Sequence, residues 1–102
     1  MIVYTIDYII PQKPNAIHYL KMNGDFGLKP YRYFDGDGMY PDYYHAKWMD
    51  PDELVQTLKS LPLLKTNMGE IIRYRIIELN VRFKRYNLTK VPKWTSKVIG
   101  PW

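Results

Sequence analysis

The sequence contains no cysteine, which excludes disulfides, thiolate nucleophiles and cysteine-held zinc. A chain without cysteine suits a reducing compartment, so an intracellular setting is expected. Histidine and serine are almost as scarce, with two of each in 102 residues. Nucleophilic catalysis therefore has few combinations to draw on. No apolar run approaches the roughly 20 residues that a membrane-spanning helix needs. The opening "MIVYTIDYII" has no basic flank and carries Asp7, so it does not read as a signal peptide. No membrane partner is expected. Acidic residues are scarce in one half only. Residues 54–102 hold ten basic and two acidic side chains, a net of +8, whereas residues 1–53 hold five and eight, a net of −3. Either the halves neutralise each other in the fold or across a dimer, or the basic half is offered to an anion such as nucleic acid.

Against these absences stand a hydrophobic content of 46% and an aromatic content of 16%. That is enough for a packed interior and argues against disorder. The length fits one domain, or two small units sharing a core.

Residues 2–9 alternate Ile2, Tyr4, Ile6, Tyr8 with Val3, Thr5, Asp7, Ile9, the period of a strand, and Pro11 and Pro14 follow. Two short helices are expected. Asn15–Met22 has Asn15 as cap, Ile17 and Leu20 at helical spacing, and Asn23-Gly24 as a left-handed stop. Pro51–Ser60 has Asp50 as cap, Pro51 at the first position, Glu53 to complete a capping box and Leu54, Leu58 and Leu61 as its stripe. Glu70–Tyr86 reads as a strand, because a helix would leave Tyr74, Ile77 and Val81 in water. A bulge at Ile76-Ile77 would bring Ile72, Tyr74, Ile76, Leu79, Val81 and Phe83 to one face.

An internal repeat is also legible. Tyr31, Arg32 and Asp35 match Tyr74, Arg75 and Glu78 at a constant offset of 43, and Pro14 to Lys21 has a counterpart in Pro51 to Lys59. The fold expected is α+β, with an antiparallel-rich sheet and two helices. If the repeat holds, it becomes two α/β motifs, about 1–49 and 50–102, in a ferredoxin-like βαββαβ layout. Residues 89–102 read as an extended basic tail, held loosely.

The stretch "PYRYFDGDGMYPDYYHAKW" packs five tyrosines, a phenylalanine and a tryptophan around Asp35-Gly36-Asp37-Gly38. It opens like a calcium loop but has Met39 at the third ligand position and Ala46 at the twelfth, so no metal site is expected. Asp-Gly-Asp-Gly reads instead as the turn of a hairpin. Nuclease chemistry is not supported either, since no acidic residue has a lysine two positions on. His18 and His45 read as structural or surface residues. No enzymatic activity and no cofactor are expected.

Two readings of the aromatics remain open: rings that build the core, or an exposed platform suited to an interface. The function expected first is a non-enzymatic module that holds a peptide or protein segment in a groove between the two motifs. Tyr31, Tyr33, Tyr43, Tyr44 and Trp48 would be its anchors and Arg73 or Arg75 its charged wall. The alternative is nucleic-acid binding through Arg75, Arg82, Lys84 and Arg85. The chain is expected to be a monomer or a homodimer.

In overall character the chain resembles small orphan proteins of filamentous viruses that infect hyperthermophilic archaea. The resemblance rests on full length, absence of cysteine and tyrosine- and isoleucine-rich segments such as "MIVYTIDYII" and "IIRYRIIELNVRF". It implies a viral product acting in the host cytoplasm or carried in the virion, and transfers no functional residue. Ion pairing between the acidic and basic halves would suit a hot environment.

Overall fold

Alternation places β1 (Ile2–Ile9) at the centre of a five-stranded antiparallel sheet, in the order β3 (Phe26–Lys29), β2 (Ile17–Leu20), β1, β8 (Tyr74–Tyr86), β9 (Thr89–Pro101). The computed structural model describes residues 1–29, 32–34, 39–41, 43, 45–86 and 88–102, with backbone alone at 29, 32–34, 39–41, 86, 89 and 91. After β1 come β2 (Ile17–Leu20), β3 (Phe26–Lys29), β4 (Arg32–Phe34) and β5 (Met39–Pro41). Helix α1 (Pro51–Ser60) follows, then β6 (Leu64–Lys65), β7 (Ile71–Ile72), β8 (Tyr74–Tyr86) and β9 (Thr89–Pro101). β4 pairs with β5 and β6 with β7 as separate two-stranded ladders. The hairpin expected around Asp35 thus has its two strands, while residues 35–38 lie outside the described residues.

The sheet buries both of its faces. On one, Tyr4, Ile6 and Tyr8 of β1 stand beside Tyr74 and Ile76 of β8, and Leu54 and Leu58 of α1 cover them. Burying such leucines contributes about 1.5–3 kcal/mol each. On the other, Val3, Thr5 and Asp7 stand beside Ile77 and Leu79, followed by Val81, and the segment from Tyr43 to Trp48 lies over them. We call these the helix face and the opposite face. The segment is stitched in by backbone pairing: Met49 exchanges bonds of 2.9 and 2.7 Å with Tyr4, and Lys47 donates to the Leu20 carbonyl at 2.9 Å. It fills the gap where β2 parts from β1.

The helix expected at Pro51–Ser60 forms as read. The Glu53 amide donates to Asp50 Oδ1 at 2.8 Å and Pro51 occupies the first turn. The Glu53 carboxylate turns to Lys47 Nζ at 3.5 Å. The second expected helix, Asn15–Met22, is not formed: Ile17–Leu20 is strand β2, held between β1 and β3. An eight-residue helix is marginal on its own, and Ile17, Tyr19 and Leu20 bury more as a paired strand. Gly24 does take the left-handed conformation expected of it, with φ of 91°, but as the turn of the β2–β3 hairpin.

One helix among the described residues, and a sheet whose strands pair as the successive hairpins β1-β2, β2-β3 and β8-β9 and not through two βαβ units, do not make a ferredoxin-like βαββαβ layout. The supposed repeat partners also diverge, since Pro14 to Lys21 runs through a strand and Pro51 to Lys59 through a helix. Residues 89–101 are not a loose tail but a strand paired with β8 along its whole length. The register break expected at Ile76-Ile77 is present, but the extra residue is Ile99 of β9: Ile76 faces Gly100 and Ile77 faces Val98. β8 itself runs unbroken against β1, so Tyr74 and Ile76 lie on the helix face and Ile77, Leu79 and Val81 on the other.

Thr5 is fully buried, and its hydroxyl has no hydrogen-bond partner among the described residues. Thr5→Val keeps the shape and removes the desolvated hydroxyl, so it should stabilise the fold by about 1 kcal/mol. Urea denaturation reads this directly; an unchanged or lower midpoint would show that the hydroxyl is satisfied.

Candidate functional site

Two residues of the first expected site, Arg75 and Tyr43, are bound into the interior by Asp7. Asp7, fully buried on the opposite face, stands directly across from Arg75 in the β1–β8 register. Arg75 Nε donates to Oδ1 at 2.7 Å and Nη2 to Oδ2 at 2.8 Å, a bidentate fork. The Tyr43 hydroxyl donates to Oδ2 at 2.9 Å. The Asp7 hydrogen bond, with the carboxylate charge, holds the Arg75 guanidinium above its ordinary pKa despite burial, which acts the other way. The pair joins one acidic residue of the first half to one basic residue of the second.

Tyr43 is only 2% exposed and is therefore a core residue, not a surface anchor. Trp48 is half-buried; its Nε1 donates to the Tyr43 carbonyl at 2.9 Å. Its ring meets Trp94 edge-on at 5.9 Å and 75°. Tyr31 and Tyr44 lie outside the described residues, as does the side chain of Tyr33, whose backbone pairs with Tyr40. Arg73 is exposed and borders an apolar groove of about 330 Å³ with Leu63, Ile71, Tyr74 and Trp102. His18 is in β2, stacked on Tyr8 at 4.6 Å, and burial lowers its pKa.

The second set falls differently. β1 accompanies β8 only as far as Asn80, with Met1 bonded to Val81. Beyond that point β8 and β9 continue alone as a two-stranded arm, Arg82 to Tyr86 against Thr89 to Lys93, joined by two residues. Five residues per strand make an arm of about 17 Å. Arg82, Lys84 and Arg85 are exposed along it, as expected for a phosphate-binding set. Arg75, the fourth member, is instead committed to Asp7.

Two further cations lie on the same arm. Lys93 stands directly opposite Arg82, and Lys90 directly opposite Arg85. Reading 89–102 as a tail hid them. The available signal was the strand-forming Val91, Trp94, Thr95, Val98 and Ile99, which fit a strand only once β8 is there to pair with them. Side-chain alternation puts Arg82, Lys84 and Lys93 on the helix face of the arm, with Asn80 and Thr95 at its root. These five border a shallow groove of about 260 Å³, with Trp94 at its edge. Phe83, Arg85, Lys90 and Pro92 lie on the opposite face, where Phe83 is 55% exposed. Among the described residues none of the five arm cations is in an ion pair. Residues 79–102 contain six basic side chains and no acidic one.

Comparison with the models of known protein families, with curated proteins and with solved structures yields no match.

Proposed function

We propose that the chain is a non-enzymatic nucleic-acid-binding protein and that the β8–β9 arm is its binding element. One observation carries this reading: the arm sets Arg82 across from Lys93 and Arg85 across from Lys90. Like charges facing each other across a ladder destabilise it. A ribbon selected for stability alone would put a carboxylate at one of each pair. Anions from outside the chain, supplied in a row, relieve both pairs at once, and a phosphate backbone is such a row. The resemblance to archaeal viral proteins supports the cytoplasm of an infected host cell as the setting.

The test is a salt titration of binding to a labelled oligonucleotide, followed by fluorescence anisotropy. With three to five phosphates neutralised, log Kd should rise with log salt at a slope of about 3 to 4.5. A salt-independent Kd, or binding to vesicles with anionic headgroups but to no oligonucleotide, would refute the proposal.

Capture of a peptide or protein segment remains a second reading, favoured by the apolar groove that Arg73 borders. It predicts partners that survive high salt and arm substitutions.

A further inference from the structure

We infer that the arm's target is duplex DNA in B form, and that the helix face of the arm enters the major groove. The inference rests on the nucleic-acid reading above and specifies its ligand. It starts from dimensions. A two-stranded ribbon fits a major groove about 12 Å wide and is too broad for a minor groove of about 6 Å. The arm's length of about 17 Å would follow about five base pairs. Two-stranded ribbons also carry a strong right-handed twist, in the sense of the groove.

The distribution of side chains points the same way. Binding to single strands uses rings on which bases stack, placed beside the cations. Among the described side chains of this arm, the larger cation group and the rings are on opposite faces; Tyr86, at the tip, has the parity of the helix face. Asn80, Arg82, Lys84, Lys93 and Thr95 share the helix face, and every one of these side chains can donate a hydrogen bond. Phe83 is on the other face, and the Trp94 ring meets Trp48 there. A face rich in donors matches the floor of a major groove, where guanine O6 and N7 and adenine N7 accept. Arg85 and Lys90, close to the tip on the far face, are left to reach the flanking phosphates.

The same geometry excludes one close relative of the ligand. The major groove of an A-form RNA duplex is deep and narrow, and side chains cannot read it. The arm should therefore distinguish DNA duplexes from RNA duplexes of the same sequence without contacting a 2′-hydroxyl.

The experiment compares a 20-base-pair DNA duplex, its separate strands and the RNA duplex at one fixed low salt, with the full chain. The DNA duplex should bind about tenfold or more tightly than either other form. Methyl green, which occupies the major groove, should displace the protein, and distamycin, in the minor groove, should not. Arg82→Ala and Lys93→Ala should each weaken duplex binding about tenfold, and Arg85→Ala and Lys90→Ala about threefold or less. All four residues are on the arm outside the core, and unchanged circular dichroism melting confirms that each variant is folded. Equal or tighter binding of single strands, displacement by distamycin, or larger losses at Arg85 and Lys90 would overturn this inference alone. Failure to bind any of the three forms would overturn the nucleic-acid reading as well.

Discussion

Asp7→Ala should destabilise the protein by about 3 kcal/mol, enough to halve the stability of a small domain. Asp7 is fully buried, and its two oxygens take both prongs of the Arg75 fork and the Tyr43 hydroxyl. Removing the carboxylate strands a guanidinium and a hydroxyl in the interior. Arg75 keeps some access to water, with 28% of its side chain exposed, which limits the cost. Arg75→Ala should be the costlier change, because the carboxylate left behind has no exposure and one hydrogen bond. The double variant should be less damaging than the sum of the singles, since neither group is then left without the other. Urea denaturation of the four proteins measures this cycle. Additive losses would mean that the pair acts as two independent groups. The loss should also loosen the segment from Tyr43 to Trp48, which the Tyr43–Asp7 bond helps to hold on the sheet.

Removing the arm's charge should have the opposite effect on stability and a larger effect on binding. In the variant with Arg82, Lys84, Arg85, Lys90 and Lys93 all changed to Gln, all five cationic contacts to the nucleic acid are lost together. Affinity for nucleic acid should fall by a factor on the order of a thousand or more at low salt, and the salt dependence should flatten towards zero. The two like-charge pairs disappear, so the melting temperature should stay the same or rise slightly. Anisotropy and thermal melting on one sample check both halves. A variant that loses stability along with binding would show that the cations serve the fold.

How much of this was legible depends on how far apart in sequence the deciding partners lie. β1 and α1 carry their signals locally: alternation in one, a cap, a proline and a leucine stripe in the other. Ile17–Leu20 carries too few residues to separate a helix from a strand, and pairing with β1 settles it. In β8 the strand was legible but its faces were not. Adjacent Ile76 and Ile77 marked a sheet covered on both sides, which has the same local appearance as a bulge. The true bulge, at Ile99, leaves no such mark. Tyr43 looked like its exposed-seeming neighbours because its partners are remote: Asp7, 36 positions earlier, takes its hydroxyl, and Ile77, Leu79 and Val81 belong to its cluster. The arm is half legible for the same reason: Arg82, Lys84 and Arg85 stand out in a periodic strand, while Lys90 and Lys93 acquire meaning only from the register that sets them opposite.

If the arm is where nucleic acid binds, an amide chemical-shift titration will locate the contact there residue by residue. The protein, at 12.2 kDa, is small enough for complete backbone assignment. On addition of a DNA duplex, shifts and line broadening should concentrate in residues 80–86 and 89–95 and leave α1 and the groove beside Arg73 unmoved. Perturbations centred on residues 61–73 and Trp102, or none at saturating DNA, would contradict the account.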